Sequence, residues 1–498
     1  MTTRTSRLSS RSRLPWVTTI PMAAAAGALA TVSVPAALAV AGIAVSLILL
    51  AAGRGAMTLF GTALSALLIG YAFMGRGFAY LGVPPLYVGE FVLLLGAFAL
   101  VTALPTRRLG SVQVLIVLFM AWGALRATPF LGTYGIETLR DSVVWGYAAF
   151  ALVLSLLLTP NHVGRVVGLY VRVLPVFIAW VPLLFVIWFA YQDMLPRVPG
   201  AGIAIPFLKA GDVAVHLAGA AAFLLAGLYP RDGWRRVSVP FLWAGWIVGV
   251  AMVASVNRGG MLAVATVGTL ILFTRALGRW ITLVLVTLLL LGVVGLTGVE
   301  IDTGDARTIS VTQIGANIES VLREVDSPSL SGSREWREGW WETIVDYTVH
   351  GPHFWEGKGY GINLADDDGF QVGDRSLRAP HNGHLNLLAR GGVPGFVLWL
   401  AVQAAFAVTM LRAAASAARS GKRLWLGVVG WVFVYWAAAM VNMTFDVYLE
   451  GPQGGILFWS LIGFGLAVAS FIQDSGKRSL PDLRERHAHG VDAREGSV

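Results

Sequence analysis

The sequence predicts an all-α polytopic membrane protein with about 12–14 transmembrane helices and one large, partly helical extracytoplasmic loop. Three observations predict it. Of 498 residues, 56% are apolar and only 13% charged, about half the charged fraction of a soluble domain. Mean hydropathy is +0.69. The apolar residues fall into long runs, and 18 Trp and 58 Gly suit membrane interfaces and membrane helices. This excludes a disordered chain, an ordinary soluble enzyme and a nucleic-acid binder. The net charge of +9 is read as topology, and no nucleic-acid partner is expected. The chain has 0 Cys, which excludes disulfides, thiolate metal sites and cysteine nucleophiles.

A bilayer core of ~30 Å takes ~20 apolar residues per helix. Behind a basic segment at 1–16, carrying Arg4, Arg7, Arg11 and Arg13, the apolar run from Val17 to Gly53 exceeds the ~7–15 residues of a signal peptide. It reads as a retained helical pair broken near Pro35. Spans are then expected at 17–33, 35–53, 56–75, 86–104, 110–127, 142–159, 165–190, 212–229, 238–255, 259–274 and 280–298, and after a long loop at 392–411, 424–443 and 454–472. Alternate loops are basic: Arg54, Arg107 and Arg108, Arg165, Arg231, Arg235 and Arg236, Arg275 and Arg279, Arg412 to Arg423, then Lys477 and Arg478. By the positive-inside rule these loops and both termini face the cytoplasm, so the protein belongs in the cytoplasmic membrane. The expected parts are therefore the basic segment 1–16, helices over 17–298, a loop over 299–390, helices over 391–472 and a charged, disordered tail over 473–498. No internal repeat stands out.

The loop differs from its neighbours. It carries 15 acids against eight Lys or Arg, with Trp336, Trp340, Trp341, Tyr347, Phe354, Trp355, Tyr360 and Phe370. Loops this long are functional or disordered, and this composition argues for a folded cap with a helix from Arg334 to Tyr347.

Four clusters could do chemistry. At the loop's end, Pro380 precedes His381 and Asn382, with Gly392 and Gly395 following. A helix can begin there because the residue before proline is held extended, and histidine exchanges protons near neutral pH. The alternative is that His381 and Asn382 only cap the helix. Second, Asn257-Arg258-Gly259 places an arginine at a helix N-terminus on the membrane boundary, where guanidinium, free N–H groups and the dipole suit an anion, or where a snorkelling side chain meets lipid phosphate. Third, Arg334 shares a helical face with Glu338 and Trp341, while Trp336 pairs with Trp340 at i, i+4. This is a surface ion pair over an aromatic core, or a phosphate-binding arginine beside a platform for sugar or lipid. Fourth, Lys209, Asp212 and His216 open a span from the outer side, where charge must be used or paired, and Lys209 could contact glycan or pyrophosphate. Asp366-Asp367-Asp368-Gly369 lacks the alternation of a calcium loop and reads as a solvated turn. No metal site and no cofactor are expected.

Together these features resemble the O-antigen ligase and polysaccharide polymerase superfamily of bacterial membrane glycosyltransferases. Its His-Asn, nine residues, Gly-x-x-Gly element is matched by His381, Asn382, Gly392 and Gly395. Its Ser-Arg-Gly-like element is matched by Asn257-Arg258-Gly259, with Asn in place of Ser. Arg334 is similar to its loop arginine in a Ser-Gly-Arg-like element, with Ser333 inserted. Hydropathy and loop position agree over roughly residues 50–470, and the specific motifs lie in 255–395. The resemblance implies a polyprenyl-pyrophosphate-linked glycan donor, a glycan, lipid or protein acceptor, and metal-independent transfer or polymerisation on the outer face of the membrane. It implies His381 as base, with Asn382 helping to hold it, and Arg258 and Arg334 on the diphosphate; Asn382, Lys209, Trp336, Gly392 and Gly395 are the expected substrate contacts. Both a ligase and a polymerase would use these motifs. The competing class is a lipid-linked oligosaccharide flippase, which should carry charge at mid-membrane; Arg172 is the main such residue. A mannosyltransferase-type enzyme with acids in its first outer loop is disfavoured, since Gly75 to Pro85 has none.

Overall fold

The computed structural model describes residues 55–103, 109–230, 237–274, 300–302, 308–322, 328–373 and 377–474, with scattered residues between 278 and 298. The described part is helical, apart from two two-stranded antiparallel hairpins, β1 (Gly82–Val83) with β2 (Leu86–Tyr87) and β3 (Ile301–Asp302) with β4 (Thr308–Ile309). The helices are α1 (Ala56–Ala79), α2 (Val88–Ala103), α3 (Ser111–Ala127), α4 (Ile136–Gly146), α5 (Ala148–Leu157), α6 (Pro160–Tyr191), α7 (Ala210–Leu225), α8 (Val239–Val256) and α9 (Arg258–Ala265). After them come α10 (Val311–Leu322), α11 (Pro328–Thr348), α12 (Gly383–Arg419), α13 (Arg423–Phe445) and α14 (Pro452–Asp474).

Among the described residues, seven helices are long and apolar enough to cross a membrane; α4 and α5, bent by 40°, make an eighth. Three shorter apolar helices are Val88–Ala103, Ala210–Leu225 and the run Arg258–Leu272. Each of the spans expected from 56–75 to 259–274, and the three after the loop, falls on one of these elements. Those at 17–33, 35–53 and 280–298, with the segment 1–16 and the tail, lie wholly or largely outside the described residues.

The centre of the bundle is α14, 94% buried over its apolar window. It reaches α5 through small residues: a Cβ on Gly463 would lie 2.7 Å from the Ala151 carbonyl oxygen, the close backbone approach that membrane helices use for dispersion contact. The outer helices keep apolar side chains on their free faces, including Leu94, Phe98, Val101, Val114, Leu118, Leu125, Val176 and Leu183. Such faces suit lipid rather than water.

The long loop has its own small core of Trp340, Ile344, Leu364 and Ala365, completed by Leu388 and Ala389 of α12. Its other helix, α10, is tied to the end of α8, where Asn317 Nδ2 donates to the carbonyls of Ala254 at 2.7 Å and Ser255 at 2.8 Å. The loop is thus folded onto the same end of the bundle as the motif residues.

Candidate active site

His381 sits at the hinge between the loop and α12. Its N–H donates to the Ala379 carbonyl at 2.9 Å, closing a tight turn on Pro380. Its φ of 50° is left-handed, a region in which His is several-fold enriched among non-glycine residues. The next residue, Asn382, is the N-cap: its Oδ1 accepts from the N–H groups of His384 at 3.0 Å and Leu385 at 3.1 Å. This satisfies orphan donors of the first turn and directs the His381 ring away from the helix. His384, three residues on, is fully engaged instead. Its Nδ1 accepts from Trp399 Nε1 at 3.2 Å and its Nε2 lies 3.2 Å from the Met440 carbonyl. These partners assign the proton to Nε2 and leave this imidazole a packing group.

Beside His381 lies a charged cluster. His381 Nδ1 is 3.9 Å from Asp446 Oδ1, and Asp446 Oδ2 is 2.9 Å from Lys209 Nζ. Asp446 follows the last residue of α13, and Lys209 caps α7, so the ends of two helices meet at the start of a third. Lys209 also lies 4.0 Å from Asp212 Oδ1, whose other oxygen accepts from Gln453 Nε2 at 3.2 Å. Burial would push the Asp446 carboxyl up. Lys209, the approach of His381 and the Val447 N–H outweigh it and hold this carboxyl well below the usual range. Burial opposes the charge on Lys209, but Asp212 and Asp446 raise its pKa overall. Lys209, expected to contact substrate, is therefore paired with carboxylates. His216 is turned into the bundle, against Tyr435 and Phe177.

Arg258 opens α9. Its N-cap Asn257 accepts from Gly260 N at 2.8 Å, and Arg258 Nη1 donates to Ser320 Oγ of α10 at 3.2 Å. A Cβ on Gly259 would lie 2.8 Å from Phe445 Cβ, and Phe445 immediately precedes Asp446. The structure thus brings the Arg258 turn against the helix end that faces His381. Arg334 lies within α11; its side chain is outside the described residues. Trp336 is half-buried: it packs edge-on against Trp340 at 5.3 Å, which stacks on Phe370 at 5.4 Å. The helical pairing at i, i+4 was legible, but the return of the loop that brings Phe370 to 6.1 Å from the ring was not. It is Trp341, with Glu338, Glu342, Val345 and Asp346, that lines a shallow groove.

Gly392 and Gly395 shape the backbone. Gly392 has φ 66° and breaks α12; a Cβ there would lie 2.6 Å from the Phe354 carbonyl oxygen, and one on Gly395 would lie 2.9 Å from the Trp122 indole. The helix carbonyls freed by the break are taken from outside. Lys358 N donates to Ala389 O at 2.7 Å and Gly359 N to Arg390 O at 3.1 Å. Trp122 Nε1 donates to Gly391 O at 2.8 Å. The aspartate turn is solvated at Asp366 and Asp367, as expected, but not at Asp368. The Asp368 side chain is fully buried and ion-paired with Lys358, which also pairs with Asp367; Trp340 Nε1 donates to Asp368 at 2.6 Å.

Sequence reasoning missed a second ionic cluster. Asp141 Oδ2 lies 2.8 Å from Arg390 Nη1 and 3.0 Å from Arg378 Nη2, and Arg378 Nη1 lies 2.9 Å from Glu137. It also missed Asp446 and Glu450. Glu450 accepts from Asn386 Nδ2, and burial, helped by Asp141 and opposed by Arg390, pushes its carboxyl up to about 7. The available signal was two acids in the short connection between the last two spans, Phe445 to Pro452, where charge beside a membrane helix calls for a partner. Among the described residues no group of three or more His, Asp or Glu could hold a metal ion.

Fold and site together define a multi-pass helical membrane protein whose chemically equipped residues collect at one end of the bundle, beneath a folded loop. Residues 243–400 match the family model described as O-Antigen ligase, and over this segment the chain is similar to that family. The matched segment holds Arg258, Arg334, His381, Asn382, Gly392 and Gly395; Lys209, Asp446 and Glu450 lie outside it. No curated protein matches the chain.

Proposed function

We propose that the chain transfers or polymerises a polyprenyl-pyrophosphate-linked glycan on the outer face of the cytoplasmic membrane, in cell-surface polysaccharide synthesis. The observation that carries this reading is the meeting of His381, Asp446 and the Arg258 turn, from three separate segments, at one end of the bundle. His381 Nδ1 faces Asp446, which favours the N–H on that nitrogen and leaves Nε2 basic. Nε2 takes the proton from an acceptor hydroxyl, the acceptor oxygen bonds to the anomeric carbon, and the bond from that carbon to the diphosphate oxygen breaks. Polyprenyl pyrophosphate leaves with that electron pair. Arg258 and Arg334 suit the developing charge because guanidinium grips phosphate oxygens in bidentate fashion. The alternation of Lys and Arg between loops supports both termini lying in the cytoplasm and this end of the bundle facing outward.

A flippase draws no comparable support. Arg172, its main mid-membrane residue, is exposed on α6, and α6 has 32 residues, about 48 Å at 1.5 Å per residue. That exceeds a ~30 Å core by about a dozen residues, enough to bring Arg172 to the interface.

The test is complementation of cells lacking the protein with wild type, Arg258→Ala, Arg334→Ala or His381→Ala. Lipid-linked glycan should accumulate on the outer leaflet with all three variants and clear with wild type. Glycan trapped on the cytoplasmic leaflet would mean that the protein moves lipid. Loss of long chains alone, rather than of all surface glycan, would mark a polymerase rather than a ligase.

A further inference from the structure

We infer that Trp341 is a positioning residue for His381, tying the base to the helix that carries Arg334; this rests on the role of His381 proposed above. Trp341 Nε1 donates to the Pro380 carbonyl at 2.9 Å, across 39 residues of chain. Pro380 is the centre of the tight turn closed by His381 N on Ala379 O. Among the described residues, His381 is the one non-glycine residue with positive φ, and such a conformation persists where its surroundings over-determine it. Two of the constraints on it are local, the tight turn and the Asn382 cap. The Trp341 bond comes from a different element.

That element is firmly held. Trp340, adjacent to Trp341, is fully buried. It stacks on Phe370 and donates to Asp368, which Lys358 neutralises. Ile344, one turn on, is also fully buried. A rigid helix therefore presents one N–H to the carbonyl that sets the direction of His381. Arg334 lies seven residues before Trp341 on that helix, about 10 Å along its axis. Through the Trp341 bond, the backbone bearing a diphosphate-gripping arginine and the base move as one unit. Without it, His381 relaxes toward ordinary backbone angles and its ring leaves Asp446.

The experiment uses the full-length protein in proteoliposomes with a lipid-linked glycan donor and the acceptor that wild type uses. Trp341→Phe keeps a ring and removes the donor; kcat should fall about ten-fold while KM for the donor stays within two-fold. Installing the benzothiophene analogue of tryptophan at position 341 replaces only the N–H by sulfur, and decides the matter should Trp341→Phe fold poorly. Phe370→Leu loosens the same small core without touching Pro380, and should leave kcat within two-fold. Wild-type kcat in the N–H-less variants, or an equal loss in Phe370→Leu, overturns the inference. His381→Ala in the same assay separates the two ideas. Transfer that survives it sinks the functional reading, whereas a dead His381→Ala with a wild-type-like benzothiophene variant sinks this inference alone.

Discussion

Two clusters of charge lie at the same end of this bundle, and their bonding is opposite in kind. Around Asp141 the groups are there to hold. Its carboxylate takes Arg390, Arg378 and the Gly361 N–H at 2.9 Å, and Arg390 donates further to Asn386 Oδ1 at 3.0 Å and the Ile362 carbonyl at 3.2 Å. Arg390 and Asp141 are almost sealed from outside, at 2% and 8% side-chain exposure. Around Asp446 capacity is left over. Asp212 Oδ1 and Gln453 Oε1 are buried without a hydrogen-bond partner, and His381 is 32% exposed. The Asp141 carboxylate, taken up by two guanidiniums and an N–H, clamps the loop to α4 and α12, although Arg378 Nε there is also buried without a hydrogen-bond partner. Unsaturated charge next to an accessible imidazole is what a reaction needs, since a base with every lone pair engaged, such as His384, can take no proton.

The sharpest way to break this contrast is one substitution in each cluster. His381→Ala should lower transfer by about 10²–10⁴-fold, the usual contribution of general base catalysis, and leave thermal unfolding in detergent unchanged. A shift of the unfolding temperature as large as that of the clamp variant would erase the distinction. Asp141→Ala strands Arg390 in a dry site while Arg378 keeps Glu137, and should cost about 3–5 kcal/mol of stability. Its folded fraction should turn over at close to the wild-type rate, measured on protein recovered after size exclusion.

Glu450 sits between the clusters and gives them a pH signature. Its carboxyl is raised from 4.5 to about 7 in the folded protein. Below pH 4.5 it is protonated folded or unfolded and its full contribution is present. As pH rises toward 7 the unfolded chain releases its proton first, so stability falls by up to about 3 kcal/mol. Unfolding measured from pH 4 to 8 should show this slope in wild type and not in Glu450→Gln, which keeps the neutral form throughout; parallel slopes would refute it. The smallest effect belongs to the cap. Asn382→Ala should cost about 1 kcal/mol and Asn382→Ser much less, with transfer following the cap. If Asn382→Ser loses transfer while restoring stability, Asn382 contacts substrate as well as its helix.

Helix positions were legible because a bilayer enforces one simple length rule on apolar runs. The start of α12 at the His-Asn pair was legible too, since proline and a capping asparagine are local signals. Partnership was not. Nothing in the spacing of Lys209 foretells Asp446, 237 residues later, and the aspartates at 366–368 read as solvent-facing because Lys358 reaches them only once the loop has folded. Trp336 and Trp341 illustrate the same limit. Five residues apart in one aromatic helix, they differ in their partners, Phe370 for one and the Pro380 carbonyl for the other, which no helical period encodes.

The broken helix has a further consequence, for how this protein can vary in length. Three carbonyls of α12 are completed by Lys358, Gly359 and Trp122, so a piece of the loop has become part of the helix's own ladder. Residues 354–359 and 389–393 must then keep a fixed offset, and an insertion within either would strip hydrogen bonds from a helix at the membrane edge. Variants of this architecture can therefore change the loop's length only where they keep its footing on Gly392, a splice in which one backbone repairs another.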